Sequence, residues 1–162
     1  MNESHRLAGL ASLAGIADGY RDIWGHYHPT FDAVRHAILT HMGIACGNAS
    51  EIETACRAEE SRKWRHVLPP VQVVRQSQLP PCLPLRLDPS RAQEEFIWQL
   101  VEENGTRHTG AFRPVDLPEV GHYRLGSESF TGYKLMIEVQ PACGYHRLSV
   151  RRRKQALAVC SL

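Results

Sequence analysis

The sequence predicts an α+β chain, on the strength of three observations. Apolar residues recur at helical spacing as far as Trp64, strict alternation replaces that spacing after Pro69-Pro70, and a tight corner interrupts the strands near Pro141 to Tyr145. At the corner an apolar strand stops at a proline, turns at Gly144 and restarts with Tyr145 at the head of a second alternating strand. That pattern predicts a tyrosine corner, in which the hydroxyl ties back to the backbone at the edge of a β-sandwich.

The first helix is predicted from Leu7, Leu10, Ala11 and Ala14, with Ser4 as its cap and Gly15 and Gly19 punctuating its end. Tyr20 to His28 reads as an irregular run. Thr30 is the expected cap of a second helix whose apolar stripe is Phe31, Val34, Ile38 and Met42, and Gly43 stands where helices stop. Ser50 with Glu53 has the spacing of a capping box for a third helix carrying Ile52, Ala55 and Cys56.

Beyond the proline pair, Val71 and Val73 alternate with Gln72, and Leu83, Leu85 and Leu87 alternate with Pro84 and Arg86. Pro84 assigns its strand to an edge or a bulge, because it cannot donate to a ladder. Phe96, Trp98 and Leu100 define the next strand. Asn104-Gly105 predicts a two-residue hairpin turn into a strand from Arg107 to Phe112. Pro114 to Phe130 reads as a loop, Leu135, Ile137 and Val139 as the strand before the corner, and Leu148 with Val150 as the strand after it. Ala156 to Val159 is the last strand. The expected architecture is a small helical subdomain over residues 1–66, followed by an immunoglobulin-like antiparallel β-sandwich over 67–162.

Composition narrows the function classes. A formal charge of +2 supplies no basic field for nucleic acid, and the run Arg151 to Lys154 reads as a solvated turn between strands. No apolar stretch has the length of a membrane span, and the N-terminus lacks the layout of a secretion signal. Five scattered cysteines read as free thiols in a reducing cytoplasm.

No catalytic constellation emerges. Among the nine histidines, His26 and His28 alternate in a loop, and His36 and His41 are five apart and do not share a helix face. Without a Cys-x-x-Cys or His-Glu-x-x-His arrangement, hydrogen-bonded or solvated histidines are the expected reading, and no metal or other cofactor is expected. Cys143 and His146 flank a turn with nothing that resembles an oxyanion hole, and adjacent carboxylates such as Glu102-Glu103 point to opposite faces of a strand. The tryptophans are the remaining candidates, since sugar rings stack on exposed aromatic faces. Trp98, between Phe96 and Leu100, is expected in the core. Trp24, Tyr27 and Trp64 are the residues expected to touch a carbohydrate or a neighbouring domain, weighed against simple packing.

Several phrases, taken in order, resemble the N-terminal region of bacterial 4-α-glucanotransferases, the amylomaltase or disproportionating-enzyme family. They are Leu-Ala-Gly-Leu-Ala-Ser-Leu-Ala-Gly-Ile at 7 to 16, Tyr-Arg-Asp-Ile-Trp-Gly at 20 to 25, Trp-Arg-His-Val-Leu-Pro-Pro-Val at 64 to 71, and Gly-Tyr-His-Arg-Leu-Ser-Val at 144 to 150. The resemblance implies a helical subdomain and sandwich ahead of a (β/α)-barrel, which holds the catalytic carboxylates and transfers α-1,4-glucan segments through a covalent glycosyl-enzyme. The sequence reaches Leu162 about where the family runs into that barrel, without the proline-containing linker expected there. None of the barrel's motifs is present, so no catalytic residue is assigned and the isolated chain is expected to be inactive. The implied partners are the chain's own C-terminal catalytic barrel and, as a candidate ligand, a maltooligosaccharide. A different class of function, an immunoglobulin-like interaction module that dimerises through an edge strand, is the alternative.

Overall fold

The structure, a computed structural model, describes residues 3–152 and 155–162. It is a mixed α+β fold that divides into two compact units between Arg62 and Lys63. Arg153 and Lys154, the end of the basic run, lie outside the described residues.

In the first unit, α1 (Glu3–Leu13) buries Leu7, Leu10 and Ala11, the i, i+3, i+4 stripe that the spacing predicts. Ser4 lies inside this helix rather than ahead of it. The helix ends at Gly15, whose φ of +85° lets the Gly15 N–H reach Ser12 O and the Ile16 N–H reach Ala11 O. This satisfies two orphan carbonyls at once. Gly43 (φ +76°) ends α2 (Asp32–His41) by the same pair of bonds, from Gly43 to Thr40 and from Ile44 to Leu39. Both glycine stops agree with the sequence.

Further expectations for this unit are corrected. Tyr20 to His28 is a β-hairpin, β1 (Gly19–Arg21) and β2 (Tyr27–Pro29), rather than an irregular run. Thr30 does not cap α2; its hydroxyl donates to Ala17 O, and Phe31 occupies the N-cap position without a side-chain bond. α3 (Ala49–Arg65) is opened by Asn48 and Glu51 rather than by Ser50 and Glu53. The Glu51 N–H donates to Asn48 Oδ1 at 3.0 Å, and Glu51 Oε2 accepts from the Gly47 N–H at 2.7 Å. The largest difference concerns α2. Phe31, Val34, Ile38 and Met42 are all exposed, while Leu39 enters the core and the Arg35 side chain is held between Asp18 and Asp32. The core of this unit is Leu7, Leu10, Ala11, Leu39, Cys46 and Ile52.

The second unit is a two-sheet sandwich. β3 (Cys82–Leu87), β7 (Glu128–Met136) and β6 (Glu119–Leu125) form one sheet, in that order. β5 (Arg107–Phe112), β4 (Phe96–Val101), β8 (Arg147–Arg152) and β9 (Gln155–Ser161) form the other. Every neighbouring pair is antiparallel. Period-two alternation turns Leu83, Leu85 and Leu87 inward from one sheet and Phe96, Trp98, Leu100, Leu148 and Val150 from the other, so one core fills the gap. Pro84 lies on β3, an edge strand, as its missing N–H requires.

Here too the structure departs from the sequence reading. Val71 and Val73 are exposed, and residue 71 makes only an isolated parallel bridge to Ser161. Pro114 to Phe130 contains β6 and the start of β7, closed by a two-residue Gly126-Ser127 turn. β7 ends at Met136, and Val139 folds back so that its N–H meets Ile137 O. The Asn104-Gly105 hairpin has a three-residue loop: Gly105 N–H bonds Glu102 O, Glu102 N–H bonds Thr106 O, and Gly105 at φ +88° forms the bulge.

The tyrosine corner is also overturned. Tyr145 is 85% exposed, and its neighbour His146 takes the buried place. His146 Nε2 donates to Ala142 O at 2.8 Å, Nδ1 accepts from the Glu103 N–H at 3.3 Å, and the His146 backbone pairs in both directions with Leu162. A corner needs a side chain that satisfies backbone groups at the end of a strand; here an imidazole with one donor and one acceptor does this.

Candidate functional site

The β1–β2 hairpin carries two of the three residues expected at the site. Gly19 pairs with Pro29, Tyr20 with His28 and Arg21 with Tyr27. Gly19 is required here, because a Cβ would collide with His28 O and the Tyr27 ring. The turn is closed by the Asp22 N–H to His26 O and the Gly25 N–H to Asp22 O, both 3.0 Å, with Gly25 at φ +88°. Ile23 and Trp24 therefore occupy the corners of the turn, and their side chains stand 89% and 76% exposed.

Asp22 organises this tip. Its Oδ1 accepts from the N–H groups of Trp24 (3.0 Å) and His26 (2.9 Å), and its Oδ2 accepts from His28 Nε2 at 2.9 Å. The His28 bond, with the two backbone donors, holds the Asp22 carboxyl below the usual carboxylate range against an opposing effect of burial. Tyr20 stacks on His28 with centroids 5.0 Å apart and planes 18° apart. The Arg21 guanidinium lies 5.8 Å from the Tyr27 centroid and donates to Gly25 O at 2.9 Å. The result is a solvent-facing aromatic and aliphatic surface on a hairpin whose turn is fixed by a carboxylate. It offers apolar area, ring faces and a few polar edges, which suits contact with a protein surface or a sugar.

Trp64 belongs to the second unit and has different surroundings. It is half-buried at the end of α3, stacked on Tyr123 at 5.5 Å with planes 7° apart. The Arg86 guanidinium lies 5.7 Å from its ring centroid. Arg86 is itself buried; Nη1 donates to Lys63 O in the last turn of α3 at 3.0 Å and to His66 O just beyond the helix at 3.4 Å. Burial without a carboxylate partner pushes the Arg86 pKa down from its ordinary value. Helix-end carbonyls and an indole face stand in for the counter-ion. Trp64 is thus part of the packing of its unit.

The structure therefore places Trp24 and Tyr27 together on one hairpin and puts Trp64 in the other unit. Sequence reasoning missed Asp22 and Arg86. Asp22 was within reach, because Asp-x-x-Gly at 22 to 25 has the composition of a tight turn. It also missed the pair at the β4–β5 turn, where Glu102 Oε1 lies 2.6 Å from His108 Nε2. Among the described residues, no group of three or more His, Cys, Asp or Glu side chains is gathered as a metal ion would require, and no helix is long and apolar enough to cross a membrane.

No curated protein matches the chain. Among solved structures, the crystal structure of amylomaltase from Corynebacterium glutamicum matches 98% of this chain with a TM-score of 0.63 and 19% sequence identity. The chain spans 22% of the length of that protein, and at this identity the likeness is one of fold. A family model described as the MalQ N-terminal beta sandwich domain matches residues 67–162, more than half of the sequence and nearly all of the second unit. The chain belongs to the MalQ N-terminal beta sandwich domain family.

Proposed function

We propose that this chain is the N-terminal accessory part of a 4-α-glucanotransferase acting on maltooligosaccharides and α-1,4-glucans. In this reading, residues 1–66 form a helical subdomain and residues 67–162 an immunoglobulin-like sandwich domain in a cytoplasmic enzyme. Neither is catalytic alone. The first unit offers its outward apolar face to the barrel that carries the chemistry.

The observation that carries this reading is the face itself. Phe31, Val34, Ile38 and Met42 form one helical stripe, and all four point away from the core of their own unit. Tyr20, Ile23, Trp24 and Tyr27 of the hairpin are exposed as well. Soluble proteins seldom leave so much large apolar surface in one small unit unless another surface covers it. The aliphatic members favour a protein partner, since sugar platforms are built from ring faces with hydrogen-bonding groups beside them.

The test is the double substitution Val34→Asp/Ile38→Asp. The isolated chain should lose only a little stability, because the two positions are 46% and 39% exposed and aspartate is a weaker helix former. The full-length enzyme should lose thermal stability and turn over maltotriose more slowly. Equal tolerance in both settings would sink the docking reading. Saturable shifts of the Trp24 indole signal on titration of the isolated chain with maltoheptaose would instead make the hairpin a glucan platform.

A further inference from the structure

We infer that β5 is an association edge through which two copies of this chain pair, antiparallel and about Thr109. The sandwich has four sheet edges, and an open edge is a template for another strand. β3 has Pro84 in its middle, and the Arg86 N–H is already taken by Val67 O. β6 carries a bulge between Glu119 and Gly121 and charged residues along its length. β9 is covered at Ser161 by residues 70–72, through the Gln72 N–H to Ser161 O and the Ser161 N–H to Pro70 O. Among the described residues, β5 alone has no proline, no bulge and no covering segment over its six residues.

The geometry of β5 says what would satisfy it. The Glu102 N–H bonds Thr106 O, so residues 102 and 106 are a hydrogen-bonded pair and alternate residues from there face β4. The N–H and C=O groups of Arg107, Thr109 and Ala111 therefore point away from the sheet. Three such residues in register match only another extended backbone, which excludes sugars and helices as the natural occupant.

A second copy of β5 meets the requirement without conflict. With a two-fold axis at Thr109, Thr109 faces the partner's Thr109, and Arg107 faces the partner's Ala111. No like charges are opposed, and the two Thr109 side chains meet through their methyl groups, since each hydroxyl already donates to Trp98 O of its own copy at 3.0 Å. The side chains of residues 107, 109 and 111 are exposed on one face, so they meet their counterparts in the open. One strand pair covers less than the roughly 1,200 Å² usual for a specific stable interface, so the association is weak and rises with concentration.

Sedimentation velocity of this chain over a concentration series tests the inference, with two charge variants beside the parent. Ala111→Glu places a carboxylate opposite the partner's Arg107 at two symmetric positions and should tighten the dimer about two- to thirty-fold. Ala111→Lys should weaken it by a similar factor. Both changes lie on an exposed face, and circular dichroism melts should confirm that neither alters the fold. Amide exchange at Thr109 and Ala111 should slow as the parent is concentrated. A parent that stays monomeric at every concentration would overturn the proposal. So would a dimer that responds alike to glutamate and lysine at 111.

Discussion

Removing Trp64 separates packing from surface presentation. Trp64→Ala deletes an indole that stacks on Tyr123 at 5.5 Å and lies 5.7 Å from the Arg86 guanidinium. The stack contributes about 0.5–1.5 kcal/mol beyond area burial. The cation–π contact with a largely buried guanidinium adds about 0.5–2 kcal/mol. Full truncation of a buried tryptophan costs roughly 3–5 kcal/mol, and half-burial brings the figure for this site to about 2–3 kcal/mol. For a unit of this size the melting temperature should fall by about 10–20 °C. Trp24→Ala removes a side chain that is 76% exposed and should stay within about 0.5 kcal/mol of the parent. The assay is thermal and urea unfolding followed by far-UV circular dichroism, which does not depend on the deleted fluorophore. Equal losses for the two variants, or a larger loss for Trp24, would refute the assignment of Trp64 to structure and Trp24 to surface.

Two further outcomes follow from the sandwich. A Cβ at Gly110 would stand 2.6 Å from Trp98 Cζ2 on the paired strand, so Gly110→Ala should overpack the core and cost about 1–3 kcal/mol in a urea titration; an unchanged midpoint would show that the indole has room to move. The His108 hydrogen bond holds the Glu102 carboxyl below its ordinary value, so the stability it contributes is present above the unfolded-state pKa and is lost as pH falls through the lower folded value. Glu102→Gln should therefore flatten the loss of stability from roughly pH 4.5 downward, and an acid limb identical to the parent's would contradict that linkage.

How much of this was legible in the sequence depended on whether a residue's environment is fixed locally. Phe96, Trp98 and Leu100, or Leu148 and Val150, alternate because one face of their sheet is buried, and that pattern survives in any sandwich. Gly15 and Gly43 were legible because a left-handed residue at a helix end is a backbone requirement. The α2 stripe misled because spacing identifies an apolar face and not what covers it; Leu39 and Arg35, one step round the helix, face inward instead. At the corner, tyrosine and histidine stand side by side, and only the positions of Ala142 and Glu103 decide which ring goes in. The hairpin bearing Trp24 was hidden because each of its strands has only three residues, too few for alternation to register.

If the outward face of the first unit is a docking face, side-chain oxidation by hydroxyl radicals should register its burial. In the isolated chain, Trp24, Phe31, Met42 and Tyr145 should all react rapidly, since each is exposed. In the barrel-bearing enzyme proposed above, Trp24, Phe31 and Met42 should be shielded while Tyr145, on the sandwich, reacts as before. Equal reactivity of Trp24, Phe31 and Met42 in the two settings would contradict the account.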